Sequence, residues 1–552
     1  MVILGINQVP SQISWQHDSA AALIKDGKLV TAVEEERFNR LRHARGYPKK
    51  AVDYCLKTAG IEFKDIDVIA VGYNPWKFLD PKYINLRPVN FLKDIFNLIM
   101  FEGYLWQLKK DSGAKIMYID HHTSHAASTY RCSGFDKANI LTIDGSGEVE
   151  SFACFKGENG KIEKLWDIPL GGHFSKKKEN SIGFVYTRLT HFLKLGNHGE
   201  GKLMGLASYG EPSFDFSKIL NIKNHKDFII NRQNIAELYK KYERVDSKSE
   251  LTQDHKNLAA SLQDALEQSI VNLARESYGH TGFKNFCLAG GVALNCNTNT
   301  KILEQDFCDD LFIQPAANDG GIALGAAMEA AARAGEPADF KMDNAYLGPE
   351  FSNDEIKKVL DDALANYEFH ENIEEVTARE VCDGNIVGWF QGKMEIGPRA
   401  LGARTILADP TLEGIADKVN ERVKHREVWR PFAPSVAEES STKYFETVEK
   451  LKGKSPFMLH VFYVKDNYKD AFPAITHVDG SSRIQTVNEN QHPRYYKLLK
   501  EIEKINGHPI VLDTSFNDAG EPIVCTPKDA IKCFYATGFD SLAIGNFLVK
   551  KK

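Results

Sequence analysis

None of the nine cysteines forms a C-x-x-C pair with another, so neither a zinc ribbon nor a disulfide framework is indicated, and a reducing, cytoplasmic setting fits. Long apolar runs are missing too. The most apolar window, residues 91–104, is broken by Lys93, Asp94 and Glu102. It is too short and too charged to span a bilayer, and it predicts a buried amphipathic helix. No basic stretch precedes the apolar N-terminus, and Met1-Val2-Ile3-Leu4-Gly5-Ile6 predicts a strand, not a signal peptide. Positive charge is not in excess either. The formal net charge is −6, with no basic tail and no aromatic-rich strand, so a nucleic-acid partner is not expected. A membrane partner is not expected, and a homodimer stays open.

What is present is an ordinary globular composition, 43% apolar and 26% charged over 552 residues, enough for about two to four domains. The most telling stretch is Tyr118-Ile119-Asp120-His121-His122-Thr123-Ser124-His125-Ala126-Ala127. Residues 115–119 predict a strand, and the Ala-rich run beyond predicts a helix stopped near Gly134. On that helix His121 and His125 share a face, so their imidazoles can converge on one ion. A strand handing over to a helix is also where open α/β sheets bind ligands.

A pattern occurs twice in the first half. Residues 3–6 predict a strand, followed by a polar loop with His17-Asp18-Ser19 and a hairpin turning at Asp26-Gly27. Residues 140–143 predict a second such strand, followed by Asp144-Gly145-Ser146-Gly147 and a hairpin across Gly157-Glu158-Asn159-Gly160. This duplicated layout resembles the actin-like ATPases, whose two lobes each offer a phosphate-gripping loop. Small residues let backbone N–H groups approach phosphate, and Asp144 is left to hold a cation. The charged run Glu34-Glu35-Glu36-Arg37-Phe38-Asn39-Arg40 predicts a solvated helix face for the most part.

Glycines around Lys202, in Gly199-Glu200-Gly201-Lys202, predict a tight turn delivering an ammonium to an anion, and residues 211–255 predict a charged surface insertion. Residues 258–274 carry a helical apolar stripe. Beyond it, Gly290-Gly291 before Asn295 offers an uncrowded backbone for an adenosine or phosphate, and Asn318-Asp319-Gly320-Gly321 opens another helix. His121, His125, Asp144 and Asp319 make a mixed nitrogen and oxygen set suited to Fe(II), Mn(II) or Zn(II).

A seam lies near residues 333–349. Past it, cations sit in loops rich in glycine and proline: Lys393, Arg399 and Arg404, then Lys424 and Arg426, then Arg430 and Arg483. Ser515 and Asn517 follow in Thr514-Ser515-Phe516-Asn517. Several arginines in rigid loops imply a multiply charged anion.

Six motifs together resemble the O-carbamoyltransferases of the NodU nodulation-protein type, a family that includes tobramycin and cephamycin carbamoyltransferases. They are Asp120-His121-His122-x-x-His125-Ala126, Glu200-Gly201-Lys202-x-Met204-Gly205-Leu206-Ala207, Gly290-Gly291-Val292-Ala293-x-Asn295, Met394-Glu395-x-Gly397-Pro398-Arg399-Ala400-Leu401-Gly402, Arg430-Pro431-Phe432-Ala433-Pro434, and Thr514-Ser515-Phe516-Asn517 with Glu521-Pro522-Ile523. They run in order, and the resemblance extends from His17 to about Thr526. Lys393 departs from it, standing where arginine is as often expected.

The resemblance implies an α/β protein. An actin-like, two-lobed domain over residues 1–340 would carry the metal and nucleotide site, and a YrdC-like α/β domain over 350–552 would form carbamoyl-adenylate. It implies ATP, Mg²⁺ and a transition metal, Fe(II) before Mn(II) or Zn(II). The partners would be carbamoyl phosphate and a hydroxyl-bearing small molecule or sugar. By motif match His17 is the acceptor's base, with Lys393 and Arg399 as catalytic cations. Nucleotide and phosphate contacts fall to Asp144, Gly145, Lys202, Gly290, Gly291, Asn295 and Asn318 in the first half. In the second they fall to Arg399, Arg404, Lys424, Arg426, Arg483, Ser515 and Asn517. Two rivals are a tRNA threonylcarbamoylation enzyme, which the negative charge disfavours, and an actin-like ATP switch, which has no use for a second anion site.

Overall fold

The computed structural model describes residues 1–8, 17–80, 88–170 and 180–551. The chain forms two compact units, one of Met1–Glu35 with His43–Met342, the other of Glu36–Arg42 with the chain from Asp343 onward.

The first unit is built on two five-stranded sheets of identical plan. Strands β1 (Val2–Ile6), β2 (Ala20–Lys25), β3 (Lys28–Glu34), β4 (Val68–Val71) and β5 (Lys115–Tyr118) pair in the order β3-β2-β1-β4-β5. The second sheet uses β6 (Lys137–Ile143), β7 (Glu150–Glu158) and β8 (Lys161–Pro169). After the small hairpin β9 (Leu220–Ile222) and β10 (Phe228–Ile230) it is completed by β11 (Asn285–Ala289) and β12 (Asp310–Ile313), in the order β8-β7-β6-β11-β12. In each sheet the first three strands are antiparallel and the last two run parallel to the first. Asp26 and Gly27 (φ 51° and 69°), and Asn159 and Gly160 (φ 52° and 74°), close the two hairpins with the left-handed pairs that a tight two-residue turn demands.

A helix follows the fifth strand of each sheet, His121–Ser133 and Ile322–Arg333. The two lie backbone against backbone, because a Cβ on Gly325 would stand 1.8 Å from the Ser124 carbonyl oxygen. Glycine is therefore dictated there by close approach. The helix Pro88–Ser112 buries Phe101, Leu105 and Leu108 but exposes Phe96, Ile99, Met100 and Trp106, so it is less enclosed than its sequence predicts. Within residues 211–255 the hairpin and the helix Arg232–Tyr242 are anchored by buried Phe216, Ile219, Leu220, Ile222 and Ile235.

The second unit has an eight-stranded mixed sheet and a three-stranded one. The strands are β13 (Asn366–Phe369), β14 (Val387–Phe390), β15 (Arg404–Ala408), β16 (Ala433–Ala437), β17 (Phe445–Glu446), β18 (Phe462–Val464), β19 (Ser481–Ser482), β20 (Gln485–Val487), β21 (Ile510–Ser515), β22 (Ser541–Ile544) and β23 (Phe547–Lys550). The large sheet runs β13-β23-β22-β14-β15-β21-β16-β20. Helices cover both faces: Leu360 and Phe534 join the core on one side, Val381 and Leu498 on the other. The strip 36–42 overturns the expectation of a solvated face. Arg37 is 2% exposed and donates to the Gly397 carbonyl (2.8 Å), and Phe38 packs on Met394, Ile523 and Cys525. Arg37 is buried because it meets both the Gly397 carbonyl and the Glu36 carboxylate (3.0 Å) there.

All nine cysteines are free of disulfides. Among the described residues no helix is long and apolar enough to cross a membrane.

Candidate functional site

In the first unit the Cα-close helices bring four donors together. His121 Nε2 and His125 Nε2 lie 3.3 and 3.1 Å from Asp144 Oδ2, and His125 Nε2 lies 3.6 Å from Asp319 Oδ1. The one-turn spacing on helix His121–Ser133 supplies the imidazoles, while Asp144 directly follows β6 and Asp319 begins the turn before Ile322–Arg333. His122, one position round the helix, faces away, its Nδ1 2.8 Å from Thr142 Oγ1. Burial alone would raise the Asp144 carboxyl, but hydrogen bonds from His121 and His125 outweigh it and hold it well below the usual carboxylate range. Burial and the Asp144 charge together push Asp319 up. His125 rises to about 9 against burial, because both carboxylates bond to it.

Two carboxylates, one buried and one half-buried, and two buried imidazoles at 3.1–3.6 Å have the spacing of donors around one ion with bonds of about 2.0–2.2 Å. The residues fit a divalent metal. Supporting groups stiffen the set: Glu148, fully buried, accepts from the His121 N–H and the Asn74 N–H, both at 2.8 Å. A Cβ on Gly147 would stand 2.8 Å from the His122 ring, so the loop passes the histidines only as glycine.

His17 lies in the loop after β1. Its Nδ1 is 2.8 Å from Asp18 Oδ2, and His43 Nδ1 is 2.7 Å from Asp18 Oδ1. Asn318 also donates to Asp18 (2.8 Å), and Asn7 bonds the Asp18 and Asp319 carbonyls (2.8 and 2.9 Å). His198 completes a histidine trio, 4.9 Å from the His17 ring and stacked 3.6 Å from that of His43. Burial would lower the His17 pKa, but Asp18, Asp319 and Asp144 lift it to about 10. His43, His198 and Glu148 carry no spacing signal in the sequence.

Other predicted residues have different placements. Lys202 stands in the first turn of helix Glu200–Ala207, not in a tight turn. Gly145 donates its N–H to Asp144 Oδ1 (2.6 Å). Gly290, at φ 91°, is required because a Cβ would stand 2.2 Å from the Ile143 carbonyl oxygen, and a Cβ on Gly291 would lie 3.2 Å from Asp144 Oδ1. Asn295 is a helix cap: its Oδ1 accepts from Thr298 N–H and Gln263, and its Nδ2 donates to Gln263 Oε1. These bonds fix the helix start and the Gln263 side chain.

In the second unit the π-helical turn Asn420–Lys424, ended by left-handed His425 (φ 44°), turns Lys424 inward. Lys424, 7% exposed, donates to the Ser515 carbonyl (2.8 Å), to Asn517 Oδ1 (2.7 Å) and to the Asn517 carbonyl (3.2 Å). Burial first, then the charge of Arg426, drives its pKa well down. Arg426 falls to about 9 through burial and the fields of Arg430 and Arg483, with Glu427 opposing. Arg430 is lowered by burial, Arg42 and Arg483, again against Glu427. Arg42, from the strip 36–42, is a cation the sequence reading passed over. Lys393 is exposed and Arg399 half-buried on the loop between β14 and β15. Arg404 is the residue to which the resemblance gives a phosphate contact. It is fully buried over the Phe390 ring (3.7 Å), and its guanidinium donates to the carbonyls of Gln391, Ala403, Pro349 and Gly392. It holds the loop.

The duplicated sheets, the paired helices and the acidic loops between them define a duplicated α/β region with a candidate metal centre, joined to a mixed α/β unit with a cluster of cations. The chain belongs to the carbamoyltransferase family and is an enzyme of that family: the carbamoyltransferase N-terminus matches residues 3–328 and the carbamoyltransferase C-terminus residues 378–551. It is 36% identical to Nodulation protein NolNO of Sinorhizobium fredii over 98% of this chain and 80% of that one. Nodulation protein U of the same organism is 27% identical, covering 94% and 95%. An uncharacterized Synechocystis protein is 36% identical over 100% of this chain and 96% of its own. Among solved structures, T. kodakarensis HypF covers 59% of this chain and 46% of its own at 13% identity and a TM-score of 0.36, a weak likeness.

Proposed function

We propose that the chain is an ATP-dependent O-carbamoyltransferase that works through carbamoyl-adenylate. The observation that carries this reading is the grouping of Lys424, Arg426 and Arg430 on one short stretch of the second unit, with Lys424 buried and bonded to Ser515 and Asn517, and with Arg42 and Arg483 near enough for their charges to help lower Arg430. Cations pressed together at that cost in self-repulsion suit a polyanion, and carbamoyl phosphate with ATP is one. The second unit, read as YrdC-like, converts carbamoyl phosphate, ATP and water to carbamoyl-adenylate, phosphate and pyrophosphate. Arg399, Arg426 and Arg483 neutralise the phosphates, and Lys393 adds charge at the loop.

The first unit transfers the group. A divalent metal, Fe(II) before Mn(II) or Zn(II), would be held by His121, His125, Asp144 and Asp319, would polarise the carbamoyl carbonyl, and would offset the negative field on His17. Asp18 fixes His17 through Nδ1, which leaves Nε2 to take the acceptor's hydroxyl proton. The acceptor oxygen bonds the carbamoyl carbon, the bond from that carbon to the adenylate oxygen breaks, and AMP leaves. Gly145 and Gly291 lie against Asp144, and with Gly290, Lys202 and Asn318 they are assigned to the nucleotide by the motif resemblance. The acceptor is a hydroxyl-bearing small molecule or sugar.

The test is an assay of the full chain with ATP, Mg²⁺ and carbamoyl phosphate. Pyrophosphate release should require carbamoyl phosphate. Release of ADP and phosphate alone, unaffected by carbamoyl phosphate, would instead mark an actin-like switch and overturn the reading.

A further inference from the structure

We infer that His225, Glu276 and His280 form a second divalent-metal site, separate from the four-donor centre and built to pin the β9–β10 hairpin to the long helix Gln253–Thr281. The site shares no residue with the transfer machinery, and its inference does not rest on the proposed reaction.

Glu276 and His280 are one turn apart on that helix, so they share a face. His225 comes to them from the tip of the hairpin. The tip is held closed: Lys223 N–H donates to the Asp227 carbonyl (3.0 Å), and the Lys226 and Asp227 N–H groups donate to Asn224 Oδ1 (2.9 and 2.8 Å). Asn272, one turn before Glu276, ties the Ile222 carbonyl to the same helix (2.9 Å). His225 and Glu276 are therefore fixed before any ion arrives, which lowers the ordering cost of binding.

The carboxylate is oriented for the task. Its Oε2 accepts from the His225 backbone N–H (2.8 Å), which leaves Oε1 facing both rings, 2.6 Å from His225 Nδ1 and 4.0 Å from His280 Nε2. Donors around a tetrahedral zinc lie about 3.3 Å apart, midway between those two separations. The two rings sit 6.4 Å apart at 58°, so they converge without stacking. His280 is 49% exposed and can swing inward, while His225 and Glu276 are 16% exposed and stay put. Two imidazoles and one carboxylate, with water in the fourth place, select a borderline ion such as Zn(II), Co(II) or Ni(II) over Mg²⁺ or Ca²⁺. Trp166 stacks on the His225 ring at 4.8 Å and 14°, so it reports directly on the site.

The experiment uses the full chain, stripped of metal and dialysed. Wild type should take up one more equivalent of Zn(II) than His280→Ala, and Co(II) should quench fluorescence in wild type but not in Trp166→Phe, which still binds. His280→Ala and Glu276→Gln should each weaken this binding by at least about tenfold. Hydrogen exchange at the hairpin tip should slow with Zn(II) in wild type only. Equal stoichiometry and affinity in wild type, His280→Ala and Glu276→Gln would overturn the site, leaving His225 and Glu276 as a simple ion pair. Metal uptake lost entirely in His121→Ala/His125→Ala, with folding retained, would overturn it as well.

Discussion

Asp18 accepts from His17, His43 and Asn318 at once, and it does so at φ 60°, a backbone conformation few residues tolerate. Removing its charge should therefore act on all three. His17 has a folded pKa raised to about 10, so its contribution to stability is complete below about 6.5 and is lost as pH rises toward 10. Asp18 is depressed by the same hydrogen bonds, although burial opposes them, so its contribution is present above the usual carboxylate range and is lost in acid. The stability gap between wild type and Asp18→Asn should be widest at about pH 5–6.5, near 2 kcal/mol for a charge-assisted bond, and should close toward pH 10. Chemical denaturation across pH measures it; a gap that widens toward pH 10 would contradict the pairing. The pair His121 and His125 was legible because helical spacing announces it. His43 and His198 were not, because loops bring them to His17 and no period connects them. Arg404 and Asn295 sit in the motifs, and in the structure their bonds hold a loop and a helix end, which no spacing in the sequence announces.

At the scale of elements, the two hairpins were readable from Asp26-Gly27 and Asn159-Gly160, since a tight turn forces left-handed residues at known positions. The strip 36–42 was not readable. Alternating charge normally means water, and only the fold shows Arg37 and Arg40 spending their charge on carbonyls. Arg40 donates to the Ile523 and Pro522 carbonyls (2.6 and 2.7 Å) and lies 3.7 Å from both Glu521 and Asp529. Those carbonyls belong to the loop that follows Ser515 and Asn517, so the strip braces the cation cluster as well as adding Arg42 to it. Arg40→Ala should cost about 1.5–3 kcal/mol in stability and lower carbamoyl-phosphate-dependent pyrophosphate release while metal content stays unchanged. Calorimetry and elemental analysis of one preparation decide it. A variant with wild-type melting and release would show the strip to be ornamental.

For the whole molecule, the division of the chain puts four candidate metal donors in one unit and a cation cluster in the other. If each unit runs one half-reaction, the halves should fail independently. His121→Ala/His125→Ala should lose bound transition metal and product transfer yet keep pyrophosphate release. Chelator-stripped wild type resupplied with Mg²⁺ should behave the same way. Arg426→Ala and Arg483→Ala should do the reverse, lowering pyrophosphate release by roughly ten- to a hundredfold, the loss of one charge-assisted contact, with metal content intact. Added carbamoyl-adenylate should then restore transfer in the arginine variants but not in the histidine pair. That rescue is the decisive arm, because a general folding defect in either unit would not be repaired by an intermediate. Should the histidine pair and the arginine variants lose both products in parallel, with no rescue, the two sites would have to act as one, and the separate-address reading would fall.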